Sequence, residues 1–111
     1  MEPRIVVTGI GIVSAIGMDK EETFKSLVSK KTGISKITIL ETIHRDEFLL
    51  GEIKLSNEEI IKLAGLDQNI AWTRTALLGI LAARQAYQDA GLSKSDNLKR
   101  VKYFQRVHPV E

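Results

Sequence analysis

The chain contains no cysteine, which excludes a thiol nucleophile, a disulfide and a Cys-ligated zinc within it. The hydroxyl candidates are Ser14, Ser26, Ser29, Ser35 and Ser56. None sits in the Gly-x-Ser-x-Gly elbow that projects a serine from a strand-to-helix turn. A base for them would have to come from two histidines, His44 and His108. These lie far apart and lack helical ligand spacing, so they suggest neither a triad nor a metal site. The acidic pairs Asp46-Glu47 and Glu58-Glu59 fit solvated faces or helix starts better than paired acid-base catalysis. Trp72, near the start of a long apolar stretch, reads as a core anchor. Arg74 stands beside that same apolar face, and a partly buried Arg needs a carboxylate or carbonyl partner. No catalytic, cofactor-binding or metal-ligating residue is assigned from these types and spacings.

The segment Thr8-Gly9-Ile10-Gly11 invites a dinucleotide-binding reading, because glycines let a pyrophosphate approach a helix N-terminus. The spacing fails: the third glycine of Gly-x-Gly-x-x-Gly would fall at Ser14. A glycine-containing strand buried on both faces is the better reading. Its near-continuous apolar residues run from Ile5 to Val7 and resume at Ile12 and Val13. The glycines then mark a place where something packs closely.

The elements that must position these residues follow in order. Asp19 with Glu22 makes a capping-box-like helix start, and Phe24, Leu27 and Val28 share one face of that helix. Gly33 is the expected left-handed cap at its end. Residues 34–46 show no clean period and read as an extended surface excursion. Phe48 to Ile53 reads as a short strand containing Gly51. Ser56 and Glu59 form a second capping box, opening a helix that closes at Gly65. The longest helix is expected from about Ile70 to Ala90, with Gly91 as its cap. Ala76 to Ala83 contains no polar residue, so its first half is expected to be buried on all sides. A chain of 111 residues has little material with which to surround such a helix, which implies the rest of a larger domain or a partner subunit.

Composition supports a folded chain: 43% of residues are apolar and 27% charged. Sixteen basic and 14 acidic residues are interspersed to a net charge of +2, which argues against a nucleic-acid stripe. The cluster Lys99, Arg100 and Lys102 reads as a solvated segment. No apolar run is long enough to span a bilayer, and Met1-Glu2-Pro3-Arg4 has no signal-peptide pattern. The expectation is a cytoplasmic protein with no membrane and no nucleic-acid partner.

The order of these elements resembles the start of the β-ketoacyl-acyl-carrier-protein synthases, condensing enzymes of the thiolase-like fold. The residues that carry the resemblance are Arg4 to Ser14 with Ile16-Gly17, the turn Lys31-Thr32-Gly33-Ile34, Gly51-Glu52-Ile53, and the helix end Ala82 to Leu92. Arg100-Val101 resembles the start of that family's next strand. The resemblance implies an α/β fold: a partial thiolase-like fold holding the first strands and helices of the N-terminal half. Residues 1–101 would form this part, and 102–111 an aberrant, irregular tail. The family's nucleophile is a cysteine at a helix N-terminus, supported by two histidines and a lysine. None of these matches a residue here, so no catalytic residue is carried over. The parent reaction is decarboxylative Claisen condensation in fatty acid or polyketide synthesis. An acyl thioester and acyl carrier protein would be its partners, in a homodimer that needs no cofactor. The loss of pattern at Lys102 suggests a frameshift, because an alternative frame of that stretch permits an apolar strand and a glycine-rich turn. Two rivals stand beside this reading: a non-catalytic interaction module and, more weakly, a nucleotide-binding oxidoreductase fragment.

Overall fold

The computed structural model describes residues 2–92. The expected strand start at Arg100-Val101, the basic cluster, His108 and the tail from Lys102 lie outside the described residues. The chain is a mixed α/β structure. Its elements are α1 (Lys20–Val28), β1 (Ile34–Lys36), β2 (Leu49–Gly51), α2 (Asn57–Ala64) and α3 (Arg74–Asp89).

Each helix starts on a side-chain cap that the sequence encodes. Asp19 accepts a hydrogen bond from the Glu22 amide at 2.8 Å, while Glu22 reaches back to the Met18 amide at 2.9 Å. Ser56 and Glu59 form the complete reciprocal box at α2. Thr73 caps α3 by accepting from the Ala76 amide. That cap sets the start of α3 four residues later than the sequence pattern suggests. Trp72 lies before the helix, with its indole N–H donating to the Asp67 carbonyl at 2.9 Å.

All three helices among the described residues end in the same hydrogen-bonded motif. The residue after the last turn bonds back three positions and the next one bonds back five, satisfying carbonyls that the helix leaves open. The pairs are Lys30 to Leu27 with Lys31 to Ser26, Gly65 to Lys62 with Leu66 to Ile61, and Gly91 to Gln88 with Leu92 to Tyr87. The motif needs a left-handed residue, and φ is 56° at Lys30, 60° at Gly65 and 69° at Gly91. Gly65 and Gly91 close their helices as expected. At α1 the left-handed position is Lys30 and not Gly33, which corrects the sequence expectation. Gly33 lies against Ala15 instead.

β1 and β2 pair antiparallel, with Ile34 opposite Gly51 and Lys36 opposite Leu49. They form the only sheet among the described residues. Residues 5–13 are not a ladder strand, and Ile5 is 98% exposed. The expectation of a strand buried on both faces therefore fails, because no strand among the described residues pairs with it. The core lies between α2 and α3: Ile60, Ile61 and Leu77 are buried, and Leu55, Leu66, Trp72, Leu78 and Leu81 pack around them. Of the stretch Ala76 to Ala83, only Leu77 is buried; Ala76 and Gly79 face solvent. The stretch is thus half covered and not surrounded on all sides.

Candidate functional site

The hydroxyl groups singled out above are used locally. Ser26 is buried and donates to the Ile16 carbonyl at 2.6 Å. Ser14, Ser29 and Ser35 bond nearby backbone, and Ser56 caps α2. His44 pairs with Glu47 at 2.9 Å and tilts against Phe48. No serine hydroxyl is hydrogen-bonded to a histidine among the described residues. Among them there is also no group of three His, Cys, Asp or Glu side chains placed to hold a metal.

What the fold does build is a seam between the opening segment and the second half of α3. The Ile10 amide donates to Asp89 Oδ2 at 2.9 Å, and the Ile12 amide donates to Gln85 Oε1 at 3.1 Å. Gln85 also donates from Nε2 to the Met18 carbonyl at 2.6 Å. The register follows from geometry. Four helical residues rise about 6 Å, and two extended residues advance about 6.6 Å. An i, i+4 pair on a helix can therefore serve alternate amides of an extended chain lying antiparallel to it. Lys20 bonds the other oxygen of Asp89. The Lys20 ammonium and the Ile10 amide hold the Asp89 carboxyl below its ordinary range.

Glycines make this approach possible. A Cβ on Gly11 would overlap the Ala82 carbonyl oxygen and lie 2.8 Å from the Ala86 amide nitrogen. A Cβ on Gly9 would overlap the Ala86 carbonyl and lie 2.6 Å from the Ala90 nitrogen. The sequence expectation that these glycines mark a close approach holds. The neighbour is a helix backbone, not a pyrophosphate.

Two further side chains tie the middle of the chain together. Arg74 is half-buried and donates to the carbonyls of Ile53 and Leu55, both at 2.9 Å, and to Asn57 at 3.0 Å. Its expected carbonyl partners are present. Glu52 was not singled out as a site, yet its side chain is fully enclosed. Its carboxylate accepts from the amides of Thr38 (2.9 Å), Ile39 (3.0 Å) and Leu40 (2.7 Å), from the Thr38 hydroxyl (3.1 Å) and from Lys54 (2.6 Å). The sequence signal was a lone carboxylate between Gly51 and Ile53 in an otherwise apolar strand.

Burial raises the Glu52 carboxyl, but the bonds from Lys54, Leu40, Thr38 and Ile39 together outweigh it and hold it far below its ordinary 4.5. A carboxyl depressed on folding contributes stability that is complete above its unfolded value and declines as pH falls toward its folded value. The stability difference between the native chain and Glu52→Gln is therefore expected to be constant above about pH 4.5 and to shrink below it. Urea titrations of both proteins across that range measure it; a difference that grows on acidification would contradict the assignment.

These pieces define an α/β scaffold whose polar side chains hold backbone to backbone, in a chain that carries no thiol nucleophile. The chain belongs to the β-ketoacyl synthase N-terminal domain family, whose model matches residues 2–105. It is similar to 3-oxoacyl-[acyl-carrier-protein] synthase 2 of Staphylococcus aureus strain N315, with 36% identity over 96 residues, or 85% of this chain and 22% of that protein. It is also similar to 3-oxoacyl-[acyl-carrier-protein] synthase 1 of Haemophilus influenzae, with 34% identity over 93 residues, or 82% of this chain and 22% of that protein. The chain thus spans about 22% of the length of the curated relatives it matches. No solved structure matches it. No helix among the described residues is long and apolar enough to cross a membrane.

Proposed function

We propose that this chain is scaffold from a 3-oxoacyl-carrier-protein synthase: the first part of the N-terminal half of a thiolase-like fold, inactive by itself. The observation that carries this reading is the seam of Gly9, Gly11, Gln85 and Asp89, within a chain that matches the family over nearly its full length. The seam fixes the opening segment on a helix and leaves Ile5, Val6 and Val7 open, as a segment awaiting strand neighbours would be. On this reading residues 1–101 are the scaffold part and 102–111 its aberrant tail, while the family match itself runs to residue 105.

The parent reaction joins an acyl thioester to malonyl-carrier protein. A cysteine thiolate takes the acyl group from its thioester. Malonyl-carrier protein then loses carbon dioxide, and the resulting carbanion attacks the acyl carbon and expels the thiolate. Acyl carrier protein is the partner in that scheme, in a cytoplasmic homodimer. The chain described here cannot supply that thiolate, since it has no cysteine.

The scaffold reading requires apolar surface that other parts of the domain cover. Val7 is 80% exposed, and Phe24, Leu27 and Val28 all face solvent on α1. On α1 these three lie at helical spacing and make one exposed apolar face, a feature that marks an interaction surface on soluble proteins. The isolated chain is therefore expected to self-associate in analytical ultracentrifugation and to bind a hydrophobic dye. A compact monomer with a cooperative melt and no dye binding would instead favour a free-standing interaction module.

A further inference from the structure

We propose that residues 41–48 form a strap that moves as one unit, and that Glu52 is the latch holding its root against β2. The strap is exposed along its whole length. Its hydrogen bonds are self-contained: the Glu47 and Phe48 amides bond the His44 carbonyl, Thr42 accepts from the His44 amide, and His44 pairs with Glu47. Among the described residues, its one bond beyond residue 41 runs from Arg45 to the Leu40 carbonyl, which is itself the root. A segment with few buried contacts and only local bonds opens at low cost, independently of the core.

The root is built in the opposite way. Three successive amides, Thr38, Ile39 and Leu40, converge on the two oxygens of one enclosed carboxylate. Lys54 closes the arrangement by bonding Glu52, the Lys36 carbonyl at 2.7 Å and the Thr38 hydroxyl at 3.1 Å. Ile37, 3% exposed, is buried immediately before the three amides. Releasing the carboxylate would leave three amides and a hydroxyl without their acceptor, so the root loses the bonds that hold it beside β2. The motion would uncover Ile37 and leave α2 and α3 packed, because their core shares no side chain with the latch.

Hydrogen exchange with mass spectrometry on the full chain tests this, comparing the native protein with Glu52→Ala and the milder Lys54→Met. Loss of three charge-assisted amide bonds is expected to accelerate exchange in peptides covering 37–48 by at least about tenfold in Glu52→Ala. A smaller acceleration is expected in Lys54→Met, which keeps the amide bonds. In both variants, peptides from α2 and α3 are expected to exchange at the native rate. Unchanged exchange in 37–48 would overturn the latch. Acceleration shared with α2 and α3 in Lys54→Met would overturn the independent strap.

Discussion

Incubated with acyl-carrier protein bearing a radiolabelled acyl thioester, the 111-residue chain is expected to remain unlabelled. Covalent capture in a condensing enzyme uses a thiolate, which is intrinsically nucleophilic and partly ionised near neutral pH. The chain has no thiol. A serine could substitute only with a base in hydrogen-bond reach. The described serines spend their hydroxyls on backbone or helix caps, and His44 is engaged by Glu47. The expected effect is total loss relative to an intact synthase, read as an unshifted intact mass. A stoichiometric acyl adduct would remove the scaffold reading.

Replacing Gly11 with valine is expected to detach the opening segment from α3. The new Cβ would overlap the Ala82 carbonyl, which is helix backbone and cannot rotate away as a side chain would. Overpacking of this kind costs about 1–3 kcal/mol. Lifting the segment forfeits the amide bonds from Ile10 and Ile12, worth about 1 kcal/mol each or more at the charged Asp89. With the Cβ driven into the Ala82 carbonyl oxygen, staying in place costs at least the upper end of that range, about 3 kcal/mol, which exceeds the roughly 2 kcal/mol lost with the two bonds, so lifting is the cheaper outcome. The segment should peel away before α2 and α3 separate. Amide exchange at Ile10 and Ile12 should become fast while Leu77 stays protected. Gly79→Ala is the matched control, since nothing lies within 4 Å of its Cβ position. It should be neutral or stabilising by up to about 1 kcal/mol, because alanine favours a helix interior. Equal tolerance of both substitutions would contradict the seam.

The parts of this fold legible in the sequence are those that local chemistry decides. Asp19 with Glu22, Ser56 with Glu59, and Gly65 each act within a few residues of themselves, and each behaves as its type suggests. Gly9 and Gly11 announced a close approach, though not what approaches. The opening segment carries a strand's apolar pattern, but a ladder needs a second strand, which its own residues cannot specify. Within this chain, α3 side chains take the amides a strand would have taken. Lys30 took the left-handed position expected of Gly33 because the hydrogen bonds that end α1 fix where that position falls, whatever residue occupies it. Burial of Ala76 to Ala83 depends on what lies against α3, which apolar periodicity within one helix cannot specify. Glu52 escaped notice as an anchor because its partners begin 14 positions earlier and converge only once β1 and β2 have paired.

Transplanting residues 2–92 into the Staphylococcus aureus synthase, in place of the segment they match, tests the central claim most directly. The equivalent segment of the Haemophilus influenzae synthase, a second synthase that this chain matches, serves as the control graft. If this chain is ketosynthase scaffold, the transplant should fold, let the host cysteine take an acyl group, and retain condensation at a rate comparable to the control. A control graft that condenses beside a transplant that folds yet neither acylates nor condenses would contradict it.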